Sequence, residues 1–420
     1  MGKEFTVLPK EKEYLRKLTK EYLEISNLES NKNKEKHWYE HNELKTREPI
    51  VIIESQPFAD CFIPKLFCES MLAREIEKEL LYWINDHKFI DDDKVIPNFY
   101  NLYATIEYNE FGLDIGYEFV EASDGSKLGY RQNHPINSID EDFDIIKAPL
   151  FSFDEALTQK KKYAIEDIIG DILPVVIKNK FLNWFIAPSS KIESLLGLEN
   201  MLIEMATNPK GIHKLYRLVT DRIYTYIDWL KENNMLLLNN GNDYSGSGSY
   251  GFTNELPKPN YSEDISTIHM WGNLNSQETL SISPKMFEEL VFPYYKELAE
   301  KFGLNYFGCC EPVHSIWENC ISKIWNLRKV SISPWCDEKY MGEALKDGKV
   351  IYCRKPSPNF LGITKEFDEE AFAKHIKQTL ISARDCYLEF SFRDIYRLNG
   401  NLEKVKKAVK ITKEQIHRYL

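Results

Sequence analysis

The sequence predicts an α/β fold, a (β/α)8 TIM barrel with an N-terminal helical extension, and three observations point there. About 130 residues at the C-terminal end alternate strand-like and helix-like segments with short connections, the pattern of parallel strands joined by crossover helices. Four such units in that half, with more before them, suit a closed barrel better than an open sheet. Residues able to do chemistry then follow these strands, where α/β folds collect catalytic groups. At 420 residues the chain is long enough for one large barrel.

Residues 1–47 are charged and helical in pattern, with Leu15, Leu18, Tyr22 and Leu23 at helical spacing and a polar stretch, Asn31 to Lys36, read as solvated. They form the extension, expected to pack outside the barrel or to mediate self-association as a homodimer, and the barrel spans 48–420. Pro49 opens the first buried strand, Ile50 to Ile53. A helix over 70–83 puts Leu72, Ile76, Leu80 and Leu81 on one face, and Asn101 to Tyr108 reads as the second strand. Residues 109–160 are turn-rich and acidic. Asp140, Glu141, Asp142 and Asp144 lack the glycine and ligand spacing of a calcium loop, which leaves a solvated loop.

From Ile165 to Lys231 the pattern is helical, broken near Pro188, Gly197 and Pro209, and Met235 to Leu238 reads as a short strand. Residues 239–261 are mostly Asn, Gly, Ser, Tyr and Pro. Gly246 to Gly251 matches G-x-G-x-x-G, but Pro257 and Pro259 make the helix of a dinucleotide site implausible. The segment is expected to be a substrate loop or lid, with Tyr244 and Tyr250 as its aromatic contacts. The regular units follow: helix 284–302 to strand 304–307, helix 313–322 to strand 330–333, helix 338–345 to strand 350–352, and helix 367–382 to strand 386–390. A last helix covers 402–412.

A net charge of −11 and a sequence pI near 5.5 argue against a nucleic-acid partner. No run approaches the ~20 apolar residues of a membrane helix. The N-terminus has no apolar signal core, and eight sparse cysteines that include an adjacent pair are no disulfide framework. A reducing cytoplasm fits.

Strand 304–307 delivers Cys309, Cys310, Glu311 and His314 to the rim. Adjacent cysteines on an extended chain point opposite ways, so at most one of the two faces a given pocket; the competing reading makes both small apolar fillers. Strand 330–333 leads to Cys336 and Asp337, strand 350–352 to Cys353 and Lys355, and strand 386–390 holds Glu389 and leads to Arg393. Thr267 to Gly272 reads as another strand end, placing His269 at the rim with Glu278 just beyond. Thiolate, imidazole and carboxylate groups scattered over separate strands suit a catalytic zinc rather than a structural one.

Several blocks occur in order over residues 49–391: Ile282 to Phe287 with Pro293 and Tyr294, Phe302 to Asn305, Gly308 to Pro312, Asn326 to Arg328, and Ser331 to Asp337. In these the chain resembles the uroporphyrinogen decarboxylase-like superfamily, and more narrowly its corrinoid (cobalamin)-dependent zinc methyltransferase branch. Decarboxylases of that superfamily clamp substrate carboxylates with an arginine-rich loop, whereas Ile53 to Phe58 here contains no arginine. The resemblance implies a zinc-dependent methyltransferase acting between a small methylated substrate, of methoxy-aromatic or methylamine type, and a separate corrinoid protein. It implies Zn²⁺ on Glu278, Cys310 and Cys353, with Cys309, His269 and Cys336 as substitutes, because no His stands two residues before the first Cys. Glu311, Asp337 and Lys355 are then the catalytic or orienting groups, and His269, Tyr244 and Tyr250 the cofactor contacts. The alternatives are a metal-free decarboxylase or lyase, and a catalytically silent corrinoid- or tetrapyrrole-binding protein.

Overall fold

The computed structural model describes residues 5–121, 127–179, 186–258, 264–346 and 348–420. Its centre is a six-stranded, all-parallel sheet in the order β1-β14-β13-β12-β11-β10. These strands are β1 Ile50–Ile53, β10 Trp271–Leu274, β11 Leu304–Phe307, β12 Leu327–Ile332, β13 Ile351–Arg354 and β14 Leu388–Phe392. A separate parallel pair joins β2 Tyr100–Tyr103 to β7 Val175–Lys178. The α/β class and the parallel sheet are therefore as expected, but the closed eight-stranded ladder is not shown. β1 and β10 remain the edges of the sheet.

Both edges have their backbone groups met by side chains. Asp93 accepts from the Val51 amide and Asp92 from the Ile53 amide, while Lys94 donates to the Ile53 carbonyl. On the other edge the Asn239 amide group both accepts from the Trp271 N–H and donates to its carbonyl.

Strand periodicity of two divides the sheet into unlike faces. Val51, Ile53, Phe307, Val330, Ile332, Tyr352, Phe390 and Phe392 belong to the main hydrophobic core. The alternate positions include Lys329, Ser331, Cys353, Glu389 and Ser391, all buried. This polar face is filled by a hairpin of β8 Tyr244–Gly246 and β9 Ser249–Tyr250, part of the segment expected to be a lid. Ser245, Ser247 and Ser249 are buried. A Cβ built on Gly246 would stand 2.1 Å from the Tyr306 ring, so only glycine lets the hairpin come this close. The loop is thus interior filling rather than a cover; its end at 259–261 lies outside the described residues.

The extension forms two helices, α1 Pro9–Ser26 and α2 Glu29–Asn42. Leu15, Leu18 and Tyr22 of α1 join the main core. The stretch expected to be solvated lies within α2, where Asn31 is buried and donates to the carbonyls of Ser26 and Ile96. At the end of α2, Asn42 donates to the carbonyls of Tyr250 and Phe252, tying the extension to the hairpin.

Three other expectations need correction. Asn101 to Tyr108 is two strands, β2 and β3 Ile106–Asn109, and β3 pairs antiparallel with β6 Leu150–Phe153. Between them lies a further hairpin, β4 Tyr117–Glu121 with β5 Lys127–Gln132. Met235 to Leu238 forms no strand, and 313–322 holds two short 3-10 turns, Val313–Ile316 and Ile321–Lys323, instead of a helix. Among the described residues no helix is long and apolar enough to cross a membrane.

Candidate functional site

The site lies beyond the C-terminal end of β11. Gly308, whose amide bonds to the Leu274 carbonyl at 2.7 Å, takes φ +100° and turns the chain out of the strand. That turn overrides the alternation expected of an extended chain, and the Cys309 and Cys310 sulfurs stand 3.7 Å apart. Cys309 is clamped from both sides: its N–H donates to Glu311 Oε2 at 2.8 Å, and its carbonyl accepts from Ser331 Oγ at 2.7 Å. Ser247 of the hairpin donates to Cys309 Sγ at 3.4 Å. Cys310 reaches Asp394 Oδ2 at 3.8 Å. The sulfur pair therefore has a hydroxyl on one side and a carboxylate on the other.

Charge at the pair is uneven. The Cys310 thiol donating to Cys309, against the cost of burial and with help from the Arg393 guanidinium and the Ser247 hydroxyl, brings Cys309 down to about 7. Cys310 is driven strongly upward as the donor partner, with burial adding to the effect. Of the two sulfurs, Cys309 is thus the one whose surroundings favour the anion, the form of cysteine that reacts. Arg393 is held by Glu54 at 3.4 Å and by Asp394 at 3.6 Å, and Glu54 also accepts from the Tyr244 hydroxyl.

A second layer lies deeper on the polar face. Lys355 donates to the Ser247 carbonyl and, at 2.7 Å, to the Tyr306 hydroxyl; burial lowers its pKa. Below that, Lys329 pairs with Glu389 at 3.2 Å and donates to Ser249 Oγ at 2.6 Å. Lys329 also sits 5.1 Å from the Trp38 ring centre and 5.6 Å from that of Trp271. Cys353 faces this layer, with its sulfur 3.7 Å from Glu389 Oε2. Burial, then the Glu389 charge, pushes the Cys353 thiol far up.

The sequence-predicted residues thus fall in several places. Cys310 is at the rim. Cys353 lies within β13 rather than after it, one step inside the sheet and fully buried. Glu278 does follow β10, but it lines a different cavity of about 630 Å³ with Tyr108, Glu110, Lys191 and Glu193, and burial raises it to about 7. Among the described residues no three His, Cys, Asp or Glu side chains stand together to hold a metal ion. Glu278, Cys310 and Cys353 as they stand therefore do not fit a tetrahedral zinc.

Glu311 is a loop staple, accepting from the Ser276 and Cys309 amides. Asp337 caps the helix Glu338–Leu345 by accepting from the Tyr340 amide, and its own amide meets His314 Nδ1. Cys336 is buried, with its sulfur 3.6 Å from Ser333 Oγ. His269 precedes β10 instead of following it, at the opposite end of the sheet from the thiols, and its Nδ1 accepts from the Ser266 amide. Tyr250 packs in a buried cluster with Trp38 and Phe252, while Tyr244 bonds Glu54 and the Gly248 amide. Neither tyrosine is on a cover.

Sequence reasoning missed Glu54, Ser247 and Asp394. Only Asp394 left a signal, as a carboxylate beside Arg393 just after a strand end.

No family model matches the chain, and no curated protein does. Among solved structures it is similar to a methyltransferase from Methanosarcina mazei, with 12% identity and a TM-score of 0.46, over 80% of this chain and 85% of that one. At that identity and score nothing passes from that protein to this one.

Proposed function

We propose that the protein is a methyltransferase moving a methyl group between a small methylated substrate, of methoxy-aromatic or methylamine type, and a corrinoid protein, at the rim around Cys309 and Cys310. The six-stranded sheet and the β2–β7 pair are read as two arcs of a (β/α)8 barrel whose strand ends carry this site. The observation that supports the reading best is the fixed sulfur pair just beyond a strand end, with Cys309 and Cys310 sulfurs 3.7 Å apart and Ser247 donating to Cys309, in surroundings that favour the Cys309 anion. The thiolate is the form of cysteine that attacks carbon or binds soft metals. The sequence blocks in which the chain resembles corrinoid-dependent methyltransferases support it as well.

Within this reading, Arg393 holds the Cys309 charge and Cys310 keeps its proton. Asp394 and Glu54 fix Arg393, and the buried hairpin excludes water from the inner side.

The test is a screen of methoxy-aromatics and methylamines against Co(I) cobalamin, following methylcobalamin formation by absorbance. At least one donor should react, and Cys309→Ala, with its unfolding temperature checked, should slow that reaction by on the order of 10²-fold. No transfer from any donor, or an unchanged rate in the variant, would contradict the reading.

A further inference from the structure

The two sulfurs at the rim are placed as a chelate. Adjacent Cα atoms across a trans peptide are about 3.8 Å apart, below the roughly 4.4–6.8 Å of ordinary disulfides, so joining Cys309 to Cys310 directly would strain the chain. An atom inserted between the sulfurs relieves that constraint, because each sulfur then keeps its own bond. The pair is already fixed for such an insertion. Gly308 sets the turn, Glu311 and Ser331 hold the Cys309 backbone, and the sulfurs wait 3.7 Å apart. Cys310 is partly exposed and Cys309 is 6% exposed, so a ligand arrives at Cys310 and closes onto Cys309. Preorganisation removes most of the ordering cost of the second bond.

We propose that Cys309 and Cys310 form a binding site for monosubstituted trivalent arsenicals. Such a compound, in water R–As(OH)₂, condenses with the two thiols. Two As–S bonds form and two As–O bonds break; one displaced hydroxide leaves as water with the Cys310 proton, and the other leaves as water with the Cys309 proton or, where Cys309 is already the anion, with a proton from solvent. Arsenic stays trivalent, no electron is transferred, and the substituent R keeps the third position. Soft sulfur donors favour such a thiophilic centre over hard cations. This capacity does not depend on methyl transfer, since it is read on the protein alone.

The experiment adds phenylarsine oxide to the full reduced chain and follows the intact mass. One arsenical per chain is expected, released by a small dithiol and retained against a monothiol at the same thiol concentration. Cys309→Ser and Cys310→Ser should each weaken binding by on the order of 10²-fold, the usual advantage of a second linked bond. Cys353→Ser should bind as the parent does. If Cys309→Ser fails to fold, Cys310→Ser at the more exposed position decides. Unchanged binding in the foldable variant, or release by the monothiol, would overturn the assignment.

Discussion

Cys309 follows β11 and Cys353 lies within β13, two strands away in the same sheet, yet their surroundings drive the two thiols in opposite directions. Cys309 meets a thiol donor, a hydroxyl and a guanidinium, all of which favour its anion over the cost of burial. Cys353 meets the Glu389 carboxylate in a fully buried layer, and both effects favour the neutral thiol despite nearby Lys329 and Lys355. Burial is common to both. What separates them is the sign of the neighbours, which favours the anion at the rim sulfur and the neutral thiol at the inner one.

The largest effect should come from breaking the inner layer. Lys329 and Glu389 are both fully buried, so Glu389→Ala leaves a buried ammonium without its carboxylate. Denaturant unfolding should show a loss of about 3–5 kcal/mol. Any effect on Cys309 should be small beside that loss.

Gly246→Ala acts on the hairpin that joins both layers. Its new methyl group would overlap the Tyr306 ring, and stability should fall by about 1–3 kcal/mol. An unchanged unfolding temperature would mean that the hairpin does not fill the polar face. Arg393→Gln sharpens the rim alone. With the guanidinium charge gone, the Cys309 thiol should titrate at higher pH than in the parent, read from the pH dependence of its alkylation, and an unmoved midpoint would mean that Arg393 does not act on the sulfur.

The contrast also shows what could be read from the sequence. Strand Leu304–Phe307 and its glycine stop were legible because apolar runs bounded by glycine have few alternatives. The C-terminal βα order was legible for the same reason, although β12, β13 and β14 fall up to a few residues from the expected bounds. That shift matters at Cys353, because moving the strand by one or two residues turns a rim group into a core group. His269 was misplaced in the same way. The pairing of Cys309 with Cys310 was hidden because a positive φ at Gly308 breaks the alternation rule. The hairpin was hidden because Ser and Gly normally mark solvent, whereas here their small size is what fits between Tyr306 and Ser391. Glu54, Ser247 and Asp394 come from distant parts of the chain, and only tertiary packing unites them.

The central claim is that Cys309 is a thiolate near neutral pH. The direct measurement is the rate of iodoacetamide alkylation at Cys309, located by peptide mass, from pH 5 to 10. Because its pKa is lowered, the anion persists below the usual thiol range and is lost only as pH falls through about 7. The rate should therefore reach its plateau above a midpoint near 7 at Cys309, with Cys353 unmodified throughout. A Cys309 midpoint at or above the ordinary thiol value of about 8.5, or modification of Cys353 at a comparable rate, would contradict the account.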